Sequence, residues 1–90
     1  MNDLAICKRI AEIEGVDFLR KGELSDDLLQ PDVLIVVTRR WDNGGLKGFM
    51  EYNPLTDDDI LSKLIVKHRV IGWKKMTERE ICLAIIEAHK

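Results

Sequence analysis

The chain has 90 residues, of which 46% are hydrophobic and 33% charged, and its formal net charge is -2 at pH 7. That length supports one modest core and not two, so residues 1–90 read as a single domain. The composition is that of an ordinary globular chain and not of a disordered one, and the near-neutral charge gives no bulk pull toward nucleic acid or an anionic membrane.

Asn2 or Asp3 is placed to cap a first helix that runs to about Glu14, with Gly15 as its stop. Ile6, Cys7, Ile10 and Ile13 form its apolar stripe, while Lys8, Arg9 and Glu12 fall on the wet side. Val16 to Leu19 continue as a short extended piece. Between Arg20 and Asp32 the pattern weakens to an acidic loop, in which Ser25 can cap one helical turn through Leu28 and Leu29 before Pro31.

Val33 to Trp41 is rich in β-branched residues and is the strongest strand signal. Asp42-Asn43-Gly44-Gly45 follows, and Asn-Gly is the preferred centre of a type I′ hairpin turn. Leu46 to Tyr52 then returns as the second strand. A two-residue loop sets Trp41 against Leu46, Val37 against Met50 and Ile35 against Tyr52, all on the expected core face. The other face carries Leu34, Val36, Thr38 and Phe49, with Arg40 against Lys47 at the tip. It is mixed rather than polar, so a second layer is expected over part of it.

Pro54 ends strand pairing, and Thr56 is the expected N-cap of a second helix, accepting from the backbone of Asp58 or Asp59. Leu55 and Ile60 have the spacing of a hydrophobic staple, and Ile60, Leu61, Leu64 and Ile65 make a buried stripe that fades near His68. Val70 to Lys75 suits a third strand at a sheet edge. Thr77-Glu78-Arg79-Glu80 is a capping box, with Met76 and Ile81 as a second staple. The last helix is apolar almost all round, through Ile81, Cys82, Leu83, Ala84, Ile85, Ile86 and Ala88, which predicts burial on more than one side. The expected fold is a small α+β domain in the order α-β-β-α-β-α, a three-stranded antiparallel sheet packed with helices.

Several groups of chemistry-bearing residues have ordinary structural explanations. Asp57, Asp58 and Asp59 sit in one helical turn and point around its axis rather than converging on a cation; capping and the helix dipole account for them. Cys82 and His89, even with Cys7, lack the paired short spacing of zinc ligands. The two cysteines read as reduced core thiols. No local signature supports a nucleophile pair, and Gly44-Gly45 is no phosphate loop. The expectation is therefore no catalytic residue, no metal and no cofactor. Two basic-aromatic groups remain: Arg39, Arg40, Trp41 and Lys47 at the hairpin tip, and Lys67, His68, Arg69, Trp73, Lys74 and Lys75. Cations interleaved with an indole suit a nucleic-acid surface, and they equally suit a solvated face.

Three stretches together resemble the phage ABA sandwich domain family of tailed phages and prophages. They are Ile6 to Val16 (ICKRIAEIEGV), Tyr52 to Asp58 (YNPLTDD) and Ile81 to His89 (ICLAIIEAH). The resemblance implies an antiparallel sheet between helical layers and a phage context; it implies no catalytic or binding residue. This chain departs from the family's pattern between Val70 and Thr77, where relatives carry additional strand.

The functional expectation is a non-catalytic interaction module in the host cytoplasm. It acts on a host or phage protein, with inhibition of a host defence among its forms. The candidate interaction residues are Arg39, Arg40, Lys47, Phe49, Trp73 and Ile86. The alternative is a nucleic-acid-associated accessory protein that uses the basic hairpin tip. A homodimer is a further candidate assembly. A membrane partner is not expected, because the apolar runs are far shorter than the roughly 20 residues a span needs and Met1-Asn2-Asp3 does not open a signal peptide.

Overall fold

A computed structural model describes residues 1–90. Helix α1 runs from Asp3 to Glu14. The Asn2 side chain accepts from the Ala5 N–H at 2.8 Å, and Gly15 closes the helix in the left-handed conformation. The chain then pairs as strand β1, Asp17–Phe18, and passes a single 3-10 turn at Asp26–Leu28. Ser25 stands at the head of that turn without a side-chain bond to it.

Strands β2 (Ile35–Arg40) and β3 (Leu46–Glu51) form the hairpin, and the antiparallel sheet has the order β1-β2-β3. The observed register is one residue away from the expected one: Val37 opposes Phe49, Val36 opposes Met50 and Ile35 opposes Glu51. The turn explains the slip. A type I′ turn needs positive φ at both central residues, yet only Gly44 adopts it, at 88°. The Gly44 N–H donates to the Trp41 carbonyl at 2.8 Å and the Trp41 N–H to the Gly45 carbonyl at 2.8 Å. The loop is thus three residues long, Asp42 to Gly44. Instead of entering the left-handed region, Asn43 turns its side-chain oxygen onto the Gly45 N–H at 2.8 Å.

That slip exchanges the faces of β2. Leu34 and Val36 join Tyr52 in the core, against expectation, whereas Val37 joins Phe49 on the other face and Trp41 is 55% exposed. Two compensating irregularities follow between Val37 and Arg40.

Helix α2 spans Asp58–His68 and is capped by Asp57, not Thr56. Asn53 moves the start: its carbonyl accepts from the Thr56 and Asp57 N–H groups, and its side chain from Leu55. The turn so formed consumes Thr56, and Asp57 Oδ1 takes the free N–H groups of Asp59 and Ile60 at 3.0 and 3.3 Å. After α2 the expected edge strand does not form. Gly72 takes a positive φ of 77°, and Trp73–Lys75 makes one 3-10 turn. The sheet's third strand is β1 instead, so both α2 and helix α3 (Glu78–Ala88) follow the sheet in the chain. The class remains a small α+β domain built on a three-stranded antiparallel sheet.

Helix α3 begins with the full capping box: Glu80 N–H to Thr77 Oγ1 at 3.1 Å, Thr77 N–H to Glu80 Oε1 at 3.2 Å. It buries Ile81, Cys82, Ile85 and Ile86 on one side only. Leu83, Ala84 and Ala88 face out, and because two of these are alanines the exposed side is small. One cluster joins α1 (Ile6, Cys7, Ile10, Ala11), α2 (Leu61, Leu64) and α3 to Leu34, Val36 and Tyr52. Burying each large aliphatic side chain there contributes about 1.5–3 kcal/mol. The face of the sheet that carries Val37 and Phe49 lies outside this cluster, so the helical layers implied on both faces reduce to one.

Candidate interaction site

At the hairpin tip, the expected basic surface is divided by the structure. Arg40 is withdrawn from it, with a side chain only 15% exposed. Its guanidinium donates to Asp17 Oδ2 at 2.6 Å, to Glu23 Oε2 at 2.6 Å and to the Gly44 carbonyl at 2.9 Å. These bonds tie β1, the Arg20–Glu23 turn and the hairpin loop together. They also fix the charges. Hydrogen bonds from Arg40, and then from the Arg20 N–H, draw the Glu23 carboxyl down to about 2. The bond from Arg40 likewise holds Asp17 below its ordinary value. Bonds to Glu23 and Asp17 push the Arg40 guanidinium further above its own range.

Arg39 and Lys47 remain exposed. The Lys47 ammonium lies 4.5 Å from the centre of the Trp41 ring, so the tip presents a solvent-facing indole already covered by a cation. Phe49 is 47% exposed on the outward face of the sheet, directly across from Val37. Trp73 lies on a different element, 42% exposed beside Lys74, at a groove of about 390 Å³ floored by Leu61, Ile65 and Ile81. Ile86 is 5% exposed within the core and offers no surface. The six candidates therefore do not form one patch.

A further cluster escaped sequence reasoning. Glu14 Oε2 receives His68 Nε2 and Lys67 Nζ, each at 3.0 Å, and His89 Nε2 meets His68 Nδ1 at 3.4 Å. Burial pushes the Glu14 carboxyl up, but the hydrogen bonds from Lys67 and His68 outweigh it and hold the group below its ordinary value. The only trace in the sequence is a basic last turn in α2, which any helix C-terminus favours.

Both cysteines are free and buried. Burial, then the neighbouring Cys7, pushes the Cys82 thiol up to about 11, and burial also raises Cys7. In both, burial favours the thiol over the thiolate. No group of three or more His, Cys, Asp or Glu side chains is arranged to hold a metal ion, and no helix is long and apolar enough to cross a membrane. No family model, no curated protein and no solved structure matches the chain.

Proposed function

We propose that the protein is a small non-catalytic interaction module that works by occupying the surface of a host or phage protein, inhibition of a host defence being one form of that action. The observation that carries this reading is the outward face of the hairpin. Phe49 stands 47% exposed there on a sheet whose other face alone meets the helices. A large apolar ring on a strand hydrogen-bonded into the sheet is the kind of anchor that a protein interface fills. The phage or prophage setting, and with it the host cytoplasm, is supported by the resemblance of three sequence stretches.

The nucleic-acid alternative loses part of its basis at Arg40, whose charge is spent within the fold. Arg39 and Lys47 alone are a thin electrostatic footprint.

The test uses the affinity-tagged chain and its Phe49→Asp variant. The reading expects one host or phage protein to co-purify in stoichiometric amount with the parent and to be lost from the variant, with circular dichroism unchanged. A dimer in light scattering that Phe49→Asp dissolves would make the occupant a second copy and overturn it. So would DNA retention that rises at low salt and disappears with Arg39→Ala and Lys47→Ala, without any protein partner.

A further inference from the structure

A groove of about 440 Å³ lies where the end of α1, strand β3 and the first turns of α2 meet. Met50, Ile60 and Leu64 give it an apolar floor, and Tyr52 closes its base. Tyr52 is 8% exposed and belongs to the core. Its backbone is held by the Leu34 carbonyl at 2.8 Å. Its hydroxyl makes no hydrogen bond within the protein, and no unpartnered side-chain atom is sealed from solvent. The hydroxyl therefore reaches solvent with its donor and acceptor unused by the protein, on a residue that lines the groove. Burial, then the Glu14 charge, pushes it up to about 12, so it stays a neutral hydroxyl.

The rim is acidic. Glu14, Asp57 and Asp59 stand there against a single cation, Lys63. Asp57 is committed to the N–H groups of Asp59 and Ile60, and Glu14 Oε2 to Lys67 and His68. Asp59 has no ion-pair partner. Asp57 and Asp59 also border a second, open bay of about 410 Å³, which holds Glu51 and Asp58 and no apolar side chain. Neither Glu51 nor Asp58 is paired with a cation. The two bays share Asp57 and Asp59, so the apolar slot borders an acidic surface on which Glu51, Asp58 and Asp59 have no ion-pair partner.

We infer that this groove docks a basic segment of the partner protein. The aliphatic stem of one Lys or Arg lies along Met50, Tyr52 and Leu64, and its cation reaches Asp59 and the Tyr52 hydroxyl. A neighbouring cation faces Glu51 and Asp58. A long cationic side chain is amphipathic in the same sense as the slot, apolar along its stem and charged at its end. A segment fits better than a lone amine because the surplus carboxylates extend past the slot, further than one ammonium reaches. The inference rests on the reading that the protein acts by binding another protein, but it uses a different surface from Phe49.

The test is an NMR titration of the isolated chain with the acetylated, amidated tetrapeptide Lys-Leu-Lys-Arg. Its all-glutamate analogue and n-butylamine serve as comparison probes. Saturable amide shifts are expected at Val16, Met50, Tyr52 and Asp59, with binding that weakens as salt rises. Asp59→Asn combined with Glu51→Gln should weaken the peptide about tenfold, since two exposed ion pairs with the peptide are lost together. Tyr52→Phe, which removes only the hydroxyl, should weaken it several-fold with the fold intact. The inference is overturned if these variants bind as the parent does, if the shifts saturate elsewhere, or if n-butylamine binds as tightly as the peptide. Failure here, with a partner still captured through Phe49, sinks the groove alone. Peptide binding by a chain that captures no partner sinks the Phe49 reading and leaves the groove.

Discussion

The two faces of the β2–β3 hairpin are built from the same kind of residue and end in different places. Val36 is 2% exposed among three helices, and its neighbour Val37, 7% exposed, lies on the face where Phe49 is left 47% open. Nothing in the side chains of Leu34 to Val37 distinguishes inside from outside. The register does, and one loop residue decides the register. Composition thus describes the hairpin's material, while a three-residue turn with a single left-handed glycine decides which half becomes core and which becomes surface.

The strongest way to break that comparison is to place a carboxylate on each face. Val36→Asp buries an unpaired charge and should cost about 4 kcal/mol or more, enough to unfold a domain of this size. Phe49→Asp, at a site already half in water, should cost less than about 1 kcal/mol. Ile86→Asp should behave as Val36→Asp does. Urea unfolding followed by circular dichroism separates them; a Val36→Asp that stays folded as Phe49→Asp does would restore the two-residue-loop register, which puts both residues on the outward face.

Next in size is the turn itself. Gly44→Ala forces a side chain into the left-handed region at φ 88° and should cost about 1–2 kcal/mol. Asn43→Gly sharpens the point. A type I′ turn gains from glycine at that position, whereas the observed loop loses the acceptor for the Gly45 N–H. A destabilisation of about 0.5–1 kcal/mol is expected, and a gain in stability would contradict the three-residue loop.

The last helix's cap follows. Thr77→Ala removes one half of a reciprocal pair and should cost about 1 kcal/mol, read from the urea midpoint. An unchanged midpoint would mean that α3 does not depend on its box.

Local chemistry was legible in the sequence where it is self-contained. Asn2, Gly15 and the Thr77–Glu80 box act within four residues of themselves, and each does what its type and spacing predict. Legibility failed where a choice lay between two local solutions of similar energy. Asn43-Gly44 serves both a two-residue and a three-residue loop, and Thr56 and Asp57 are both competent caps until Asn53 claims the first turn. It failed entirely for contacts made only in three dimensions. Arg40 looks like part of a basic tip until β1 brings Asp17 beside it, and Glu14 and His68 meet only because two helix ends converge. The apolar excess of α3 was a different error: alanines count as hydrophobic, but they present little surface when exposed.

The smallest effect is also the one that tells the tip from an ordinary charged surface. Glu23 titrates near 2 in the folded chain because Arg40 and the Arg20 N–H donate to it, while in the unfolded chain it returns to the ordinary carboxylate value of 4.5. A carboxyl depressed by folding contributes stability above its unfolded value and loses that contribution as pH falls toward its folded one. The contribution should be complete above about pH 5 and fade between there and about pH 2. Asp17 and Glu14, both lowered, bend the curve in the same direction. Arg40→Met removes the donor shared by Asp17 and Glu23, so its urea midpoint should fall less steeply with acid than the parent's, the remaining slope coming from Glu14 and the other carboxylates. Because these groups border water, salt screens part of the effect, and the comparison belongs at low ionic strength. If Arg40→Met and the parent lose stability in parallel from pH 5 to pH 2, the guanidinium is not holding β1 and the Arg20–Glu23 turn. Arg40 would then return to the exposed tip beside Arg39 and Lys47, and the basic surface would be whole again.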